Sequence, residues 1–179
     1  MKDEKLHIAI VGAGKAGTIH AGAFSGCGRA EVVRVVSRTR ESARKLAETL
    51  PGAAYGTGLD EALDDPRVGA VVVASPDRFH HPQAAAALRR GKHVLVEKPM
   101  CRTGEEARDL IAAAREAGVV LMAGFVERAA KRLFGIPDFK YYALADGLRA
   151  LFARHPGKPV APGPRNAPRQ MDLFAYDSS

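Results

Sequence analysis

Three short runs hold residue types that chemistry uses, and each follows an apolar stretch. The first is G-A-G-K-A-G, comprising Gly12, Ala13, Gly14, Lys15, Ala16 and Gly17, directly after LHIAIV. Glycine at the first position permits a tight turn. At the second it lets the backbone approach a pyrophosphate, and at the third it lets a helix pack close to the preceding strand. A helix beginning there presents unpaired amides and the positive end of its dipole to an anion. The motif alone is a weak signal; its position between a strand and a helix gives it weight. The plain alternative is an ordinary tight turn. The second run is S-P-D-R-F-H-H-P, Ser75 to Pro82, with Ser75, Pro76, Asp77, His80 and His81 as candidates for a ligand-facing loop. The competing readings are a helix cap for Asp77, a packed helical residue for His80 and a solvent-facing His81. Two adjacent histidines without a third ligand at metal spacing do not make a metal site. The third run is E-K-P, comprising Glu97, Lys98 and Pro99, after HVLV. A lysine at the carboxyl end of a strand is a candidate proton donor or orienting group. The proline pushes Lys98 out of the helical region and so shapes the strand exit. The alternative is a surface Glu–Lys pair of little energetic weight.

These runs matter only if the chain brings them to one place. LHIAIV (Leu6 to Val11), EVVRVVS (Glu31 to Ser37), AVVVAS (Ala70 to Ser75), HVLVE (His93 to Glu97) and VVLMAG (Val119 to Gly124) are short apolar, β-branched runs. They predict strands buried on both faces. Helices are expected over Lys15 to Ser25, from a Thr39 cap to about Leu50, over Leu59 to Leu63, from the His80 region to near Gly91, and from Thr103 to Gly118. A weak strand is expected at Ala53 to Tyr55. Thr103 and Glu106 have the spacing of a capping box. Alternating strands and helices imply an α/β, doubly wound parallel sheet of Rossmann type. In such a sheet ligands bind outside the carboxyl ends of the strands, where all three runs lie.

The end of the second strand bears on which dinucleotide is preferred. An acidic residue about 20 residues past the glycines would hold an adenosine ribose 2′-hydroxyl. Ser37 stands there instead, 25 residues after Gly12, followed by Arg38, Thr39 and Arg40. No carboxylate repels a 2′-phosphate, and a hydroxyl with two guanidiniums suits one. NADP is therefore favoured over NAD. The alternative is that the arginines decorate a helix start.

Composition sets the outer bounds. The 179 residues are 46% hydrophobic and 26% charged, ordinary for a globular domain. No unbroken apolar run is long enough for a membrane helix. The amino terminus leads straight into a glycine turn and lacks the pattern of a cleaved leader. Cys27 and Cys101 form no framework, which fits a reducing cytoplasm. The net charge is +7, and residues 129–179 hold eight Lys/Arg against four Asp/Glu. A basic tail without aromatic stacking motifs or a zinc pattern does not point to nucleic acid. The sequence also lacks the phosphate-loop, nucleophile-elbow and zincin patterns. Six of the eleven prolines lie beyond Ala129, so residues 129–179 read as a short helix over Tyr141 to Phe152 and an irregular proline-rich tail.

VGAGKAGTIHAGAF, SPDRFHHPQAAAALRRGKHVLVEKP and AGFVER, taken together, resemble the N-terminal domain of the Gfo/Idh/MocA oxidoreductases across residues 5–128. The resemblance implies hydride transfer between NAD(P) and a sugar or polyol carbon. It places Gly12, Gly14 and Gly17 at the pyrophosphate, Ser37 and Arg38 at the adenosine ribose, and Ser75, Pro76, Asp77 and His80 beside the nicotinamide. It places Glu97 and Lys98 at the nicotinamide end, with Lys98 hydrogen-bonding the reacting hydroxyl or carbonyl, and it implies a Lys98–Pro99 bond that is often cis. Arg128 matches the arginine after the last strand. Family members continue into a large second sheet that forms the substrate wall and often a dimer interface. The 51 residues after Arg128 are too few for it, and His155 does not fit the family's second catalytic position. The expectation is thus a nicotinamide-dependent oxidoreductase with a cofactor domain at residues 1–128 and no complete substrate domain. Its partner is a small sugar or polyol, with neither nucleic acid nor membrane, and a homo-oligomer is left open. The alternative is a truncated or non-catalytic dinucleotide-binding module that needs a partner chain.

Overall fold

A computed structural model of the chain describes residues 5–124. The expected C-terminal helix, the proline-rich tail and Arg128 lie outside the described residues. Among the described residues six strands and five helices alternate: β1 (Leu6–Val11), α1 (Lys15–Gly26), β2 (Ala30–Val36), α2 (Arg40–Ala47), β3 (Ala54–Gly56), α3 (Leu59–Leu63), β4 (Ala70–Val73), α4 (His80–Arg89), β5 (His93–Val96), α5 (Gly104–Ala117) and β6 (Leu121–Ala123). A short 3-10 turn, Asp77–Phe79, leads into α4. The strands form one parallel sheet in the order β3-β2-β1-β4-β5-β6. The expected doubly wound α/β architecture is therefore present.

Period-2 alternation divides the core between the two faces of the sheet. Ala9, Val11, Val71, Val73, Val94 and Val96 pack with Ala62 and Leu63 of α3, Ala84 and Leu88 of α4, and Leu110 of α5. Ile8, Ile10, Val32, Val35 and Val72 pack with Ala21 of α1 and Ala43, Leu46 and Ala47 of α2. Helices α1 and α2 thus cover one face, and α3, α4 and α5 the other. Leu95 belongs to the α1 side, so continuing the alternation beyond β5 directs Glu97 to the same side.

The caps follow the expected chemistry. Thr39 accepts from the Ser42 amide at the start of α2. Thr103 and Glu106 make both halves of the capping box on α5. Several element ends differ from expectation by one to three residues, β4 closing at Val73 rather than Ser75 and β5 at Val96 rather than Glu97 among them. Helix α2 closes at Ala47 rather than near Leu50, because Thr49 turns its hydroxyl onto the Leu46 carbonyl just ahead of Pro51. Strand β6 begins at Leu121 rather than Val119, because the Val119 amide closes α5 on the Ala114 carbonyl.

The loop from α3 to β4 is held by Asp65. Its carboxylate accepts from the Arg67 backbone amide at 3.0 Å and from Arg67 Nη2 at 2.8 Å. The Arg67 side-chain bond, opposed by burial, holds the Asp65 carboxyl down at about 2 against an ordinary 3.8. A depressed folded-state value means stability that is present above pH 3.8 and lost as pH falls toward 2. Asp65→Asn should therefore lower stability at neutral pH by about 1 kcal/mol, once solvent screening is allowed for. Urea midpoints of parent and variant, measured from pH 7 to about pH 1.5, should draw together as pH falls from 3.8 and meet only below about 2. A gap that persists at the acid end would contradict this origin.

Candidate functional site

Strands β1 and β4 are neighbours in the sheet but not in the chain. Between their carboxyl ends the winding reverses, which opens a crevice where ligands settle in sheets of this kind. The glycine run leaves β1 at this point, the Ser75 run leaves β4, and the Glu97 run leaves β5 in the next position. The end of β2, with Ser37, flanks β1 on its other side.

The glycine run is shaped by backbone contacts. Gly12 sits at φ +110°, and a Cβ there would collide with the Ala74 carbonyl at the start of the neighbouring loop. Its amide donates to the Val36 carbonyl at 2.8 Å. At Gly17 a Cβ would collide with the Gly12 carbonyl oxygen, so α1 lies directly against the turn it grows from. Gly14 is different: a Cβ there would meet nothing within 4 Å. It faces the open crevice, where a bulky ligand group can approach its backbone. Gly14 is also the N-cap of α1, makes no side-chain cap bond, and no acidic residue stands in the first turn. The first amides of α1 are thus left for an anion, with Lys15 exposed and Ala13 and Ala16 half-buried around them. Three tight or open glycines and an uncapped helix start are the form a pyrophosphate cradle requires.

At the adenosine side, Ser37 is half-buried and its amide donates to the Gly56 carbonyl at 3.1 Å. Arg38 is exposed beside it. Arg40 instead stacks over the Tyr55 ring at 5.2 Å, so of the two arginines Arg38 is the one left facing solvent without a ring beneath it.

The Ser75 loop contains both exposed and committed residues. Pro76 and Asp77 are exposed. Asp77 is not the cap of α4; it opens the 3-10 turn and accepts from the Arg78 amide. The Ser75 hydroxyl donates to Gln83 Oε1. His80 is 2% exposed. Its Nδ1 lies 2.7 Å from the Pro99 carbonyl oxygen and its Nε2 lies 2.7 Å from the Ser75 carbonyl oxygen. Both partners are acceptors, and a neutral ring can donate to only one of them at a time. The ring ties the loop after β4 to the loop after β5, and both nitrogens point into protein. His81 does not simply face solvent. It bonds Asp109 of α5 at 2.8 Å, and Arg89 bonds the same carboxylate at 2.7 Å. These partners hold the Asp109 carboxyl below its ordinary value, the His81 bond being the largest cause.

The Lys98–Pro99 peptide is cis. Lys98 is exposed at the mouth of the crevice, whereas Glu97 is only 6% exposed. One Glu97 carboxylate oxygen lies 2.7 Å from His20 Nε2, and the other accepts from the Lys98 amide at 3.1 Å. His20 lies on the buried face of α1, one turn beyond Gly17, and stacks with Phe24. Sequence reasoning singled out Glu97 but not His20. The available signal was a histidine at helical spacing from Gly17 on a face otherwise made of small residues. Cys101, two residues past Pro99, is a poor nucleophile here, because burial and the nearby Glu106 push its thiol up. Among the described residues no cluster of three or more potential metal ligands occurs. Among them, too, no helix is long and apolar enough to cross a membrane.

Residues 6–125 match the family model GFO_IDH_MocA, described as an oxidoreductase family with an NAD-binding Rossmann fold. The chain is 35% identical over 131 residues to D-glucoside 3-dehydrogenase of Escherichia coli K12, covering 73% of this chain and 37% of that protein. Among solved structures it resembles GenD2 from gentamicin A biosynthesis, in complex with NAD, at 42% identity and TM-score 0.67, covering 73% of this chain and 39% of that one. It also resembles KijD10, a 3-ketoreductase from Actinomadura kijaniata in complex with NADP, at 30% identity and TM-score 0.67, covering 73% and 42% of the two chains. The chain thus spans between 37% and 42% of the length of these relatives. The chain belongs to the Gfo/Idh/MocA oxidoreductase family, through its NAD-binding Rossmann domain.

Proposed function

We propose that the chain binds a nicotinamide dinucleotide across the crevice and serves hydride transfer to or from a carbon of a sugar or polyol. The observation that carries this is the glycine cradle: Gly14 open to the crevice, Gly12 and Gly17 closed by backbone, and α1 uncapped. The amides at the start of α1 would hold the pyrophosphate, with Ala13, Lys15 and Ala16 around it. Ser37 and Arg38 would hold the adenosine ribose and its 2′-substituent. Ser75, Pro76 and Asp77 would line the nicotinamide side, with His80 bracing their loop from beneath. Lys98 would hydrogen-bond the reacting oxygen of the substrate and share its proton. Arg128 remains a candidate from the family resemblance. When bound, the dinucleotide accepts or supplies the hydride, while the protein contributes binding and orientation.

The family relationship and the named relatives support this reading; D-glucoside 3-dehydrogenase supports a sugar substrate in particular. NADP is the favoured cofactor because no carboxylate stands at the end of β2, and the relatives include one solved with NAD and one with NADP. A cytoplasmic location fits the two unpaired cysteines. A second reading is a dinucleotide-binding module that turns substrate over only with a partner chain. It is favoured by the described residues, which form the dinucleotide-binding sheet alone.

Titrating NADPH by fluorescence and then screening sugars and polyols separates the two. Binding with turnover supports the first reading, binding without turnover the second, and absence of binding removes both. For cofactor choice, Ser37→Asp places a carboxylate against the 2′-phosphate. NADPH should weaken by roughly 30-fold, while NADH changes by less than about threefold. Parallel NADPH and NADH titrations check this. Equal loss of both cofactors, or a parent chain that binds NADH more tightly, would reject the NADP assignment.

A further inference from the structure

The fold places a buried, hydrogen-bonded pair, His20 and Glu97, beside the proposed reacting lysine. His20 and Glu97 are 77 positions apart in the chain, and the bond between them is 2.7 Å long. Their side chains are 2% and 8% exposed. Glu97 is the only acidic residue among the described residues that is buried as a whole, although the Asp65 side chain is equally covered. A buried carboxylate costs several kcal/mol unless partners compensate it. Both of its oxygens have partners here: His20 Nε2 on one, and the Lys98 backbone amide on the other. The carboxylate is therefore a bracket between helix α1 and the peptide that carries Lys98. Gly124 closes the same corner, where an added Cβ would lie 3.4 Å from the Glu97 carboxyl carbon.

We infer that His20 is a positioning residue: through Glu97 it fixes the backbone at Lys98, so that the nicotinamide half of the crevice is set by the helix whose start holds the pyrophosphate. Four links carry this. Helix α1 begins at the glycine cradle, and His20 lies six residues beyond its N-cap Gly14. Leu95 lies on the sheet face that α1 covers, so the alternation along β5 aims Glu97 at α1. The Lys98 amide donates to Glu97, which orients the peptide plane preceding the lysine side chain. On the opposite side His80 grips the Pro99 carbonyl. The Lys98–Pro99 segment is thus held from two faces, by one histidine from α1 and one from α4. The glycine loop and the lysine loop then move as one body, and the distance between a bound pyrophosphate and Lys98 is fixed by protein.

This inference rests on the cofactor reading above, and its test separates the two. The full chain is titrated with NADPH and with 2′-phospho-ADP-ribose, which has the adenosine and pyrophosphate but no nicotinamide. Parent, His20→Asn and His20→Gln are compared, each with a thermal melt. The amide nitrogen of Gln reaches about as far as Nε2 does, while that of Asn stops short. His20→Asn should weaken NADPH about tenfold, as expected for one lost buried hydrogen bond. It should change the fragment by less than about twofold, and His20→Gln should restore NADPH to within about threefold of the parent. Equal weakening of both ligands would mean that His20 only holds α1 in place and would overturn the inference. So would a parent-like His20→Asn, or a His20→Gln as impaired as His20→Asn. A parent chain that binds neither ligand overturns the cofactor reading and the inference with it.

Discussion

Replacing Gly17 by alanine is expected to cost the chain both stability and its grip on a dinucleotide. An alanine Cβ at this position falls on the Gly12 carbonyl oxygen, with Ile10 Cγ2 3.4 Å away. The obstacle is backbone, not the end of a flexible side chain, so α1 must lift from the turn at the end of β1. Forcing a methyl into a closed packing site costs about 1–3 kcal/mol. The displacement also carries the first amides of α1 away from the crevice. NADPH affinity should fall by roughly 100-fold, because several amide contacts weaken together. Gly22→Ala is the control. Gly22 lies in the same helix, and a Cβ there meets nothing within 4 Å. That substitution should be neutral or stabilise by about 0.5–1 kcal/mol through helix propensity. Urea unfolding and NADPH titration of the two variants give the answer. Similar behaviour of Gly17→Ala and Gly22→Ala would mean that the close approach of α1 to β1 is not what builds the cradle.

Lys98→Met is expected to remove turnover while leaving the fold and the cofactor largely alone. The side chain is exposed, so the substitution disturbs no core packing. The backbone amide that Glu97 accepts is kept. A positioned acid or base contributes about 10²–10⁴-fold to rate, and turnover on an identified sugar or polyol should fall by that factor. NADPH affinity should stay within about threefold of the parent. Lys98→Arg should recover little, because a guanidinium is wider than an ammonium and does not give up its proton. Steady-state kinetics with a separate NADPH titration check both parts. Full turnover in Lys98→Met would remove the lysine from the reaction.

Much of this arrangement could be read from local signals. Each of the six strands was anticipated to within a few residues, because a β-branched run between turn residues carries its own conformational preference. Thr39, Thr103 and Glu106 act as caps, because a cap needs only residues within one turn of each other. The glycine run followed from spacing plus its place between a strand and a helix. Where local signals leave alternatives open, contacts made in the fold decide between them. Asp77 had the chemistry of a helix cap, but its side chain bonds the next amide and opens a 3-10 turn. His81 had the marks of a surface residue, but a carboxylate 28 positions away claims it. The family resemblance places His80 beside the nicotinamide, and residue type alone fits a packed helical residue equally; the fold sets both of its nitrogens against carbonyls of the two loops it joins.

The sequence by itself determined that the chain makes parallel strands separated by helices, where the glycine turn falls, and that Lys98 stands at a strand's carboxyl end. Those properties are set by period, composition and neighbours a few residues apart. The tertiary structure alone decided the strand order β3-β2-β1-β4-β5-β6 and the crevice between β1 and β4. It also decided the pairing of His20 with Glu97, which depends on α1 crossing to the sheet face where the alternation of β5 points its carboxylate. Neither partner announces the other, since 77 residues separate them. A buried carboxylate finds its partner only when the packing of helix on sheet has chosen which side chains share the same dry space.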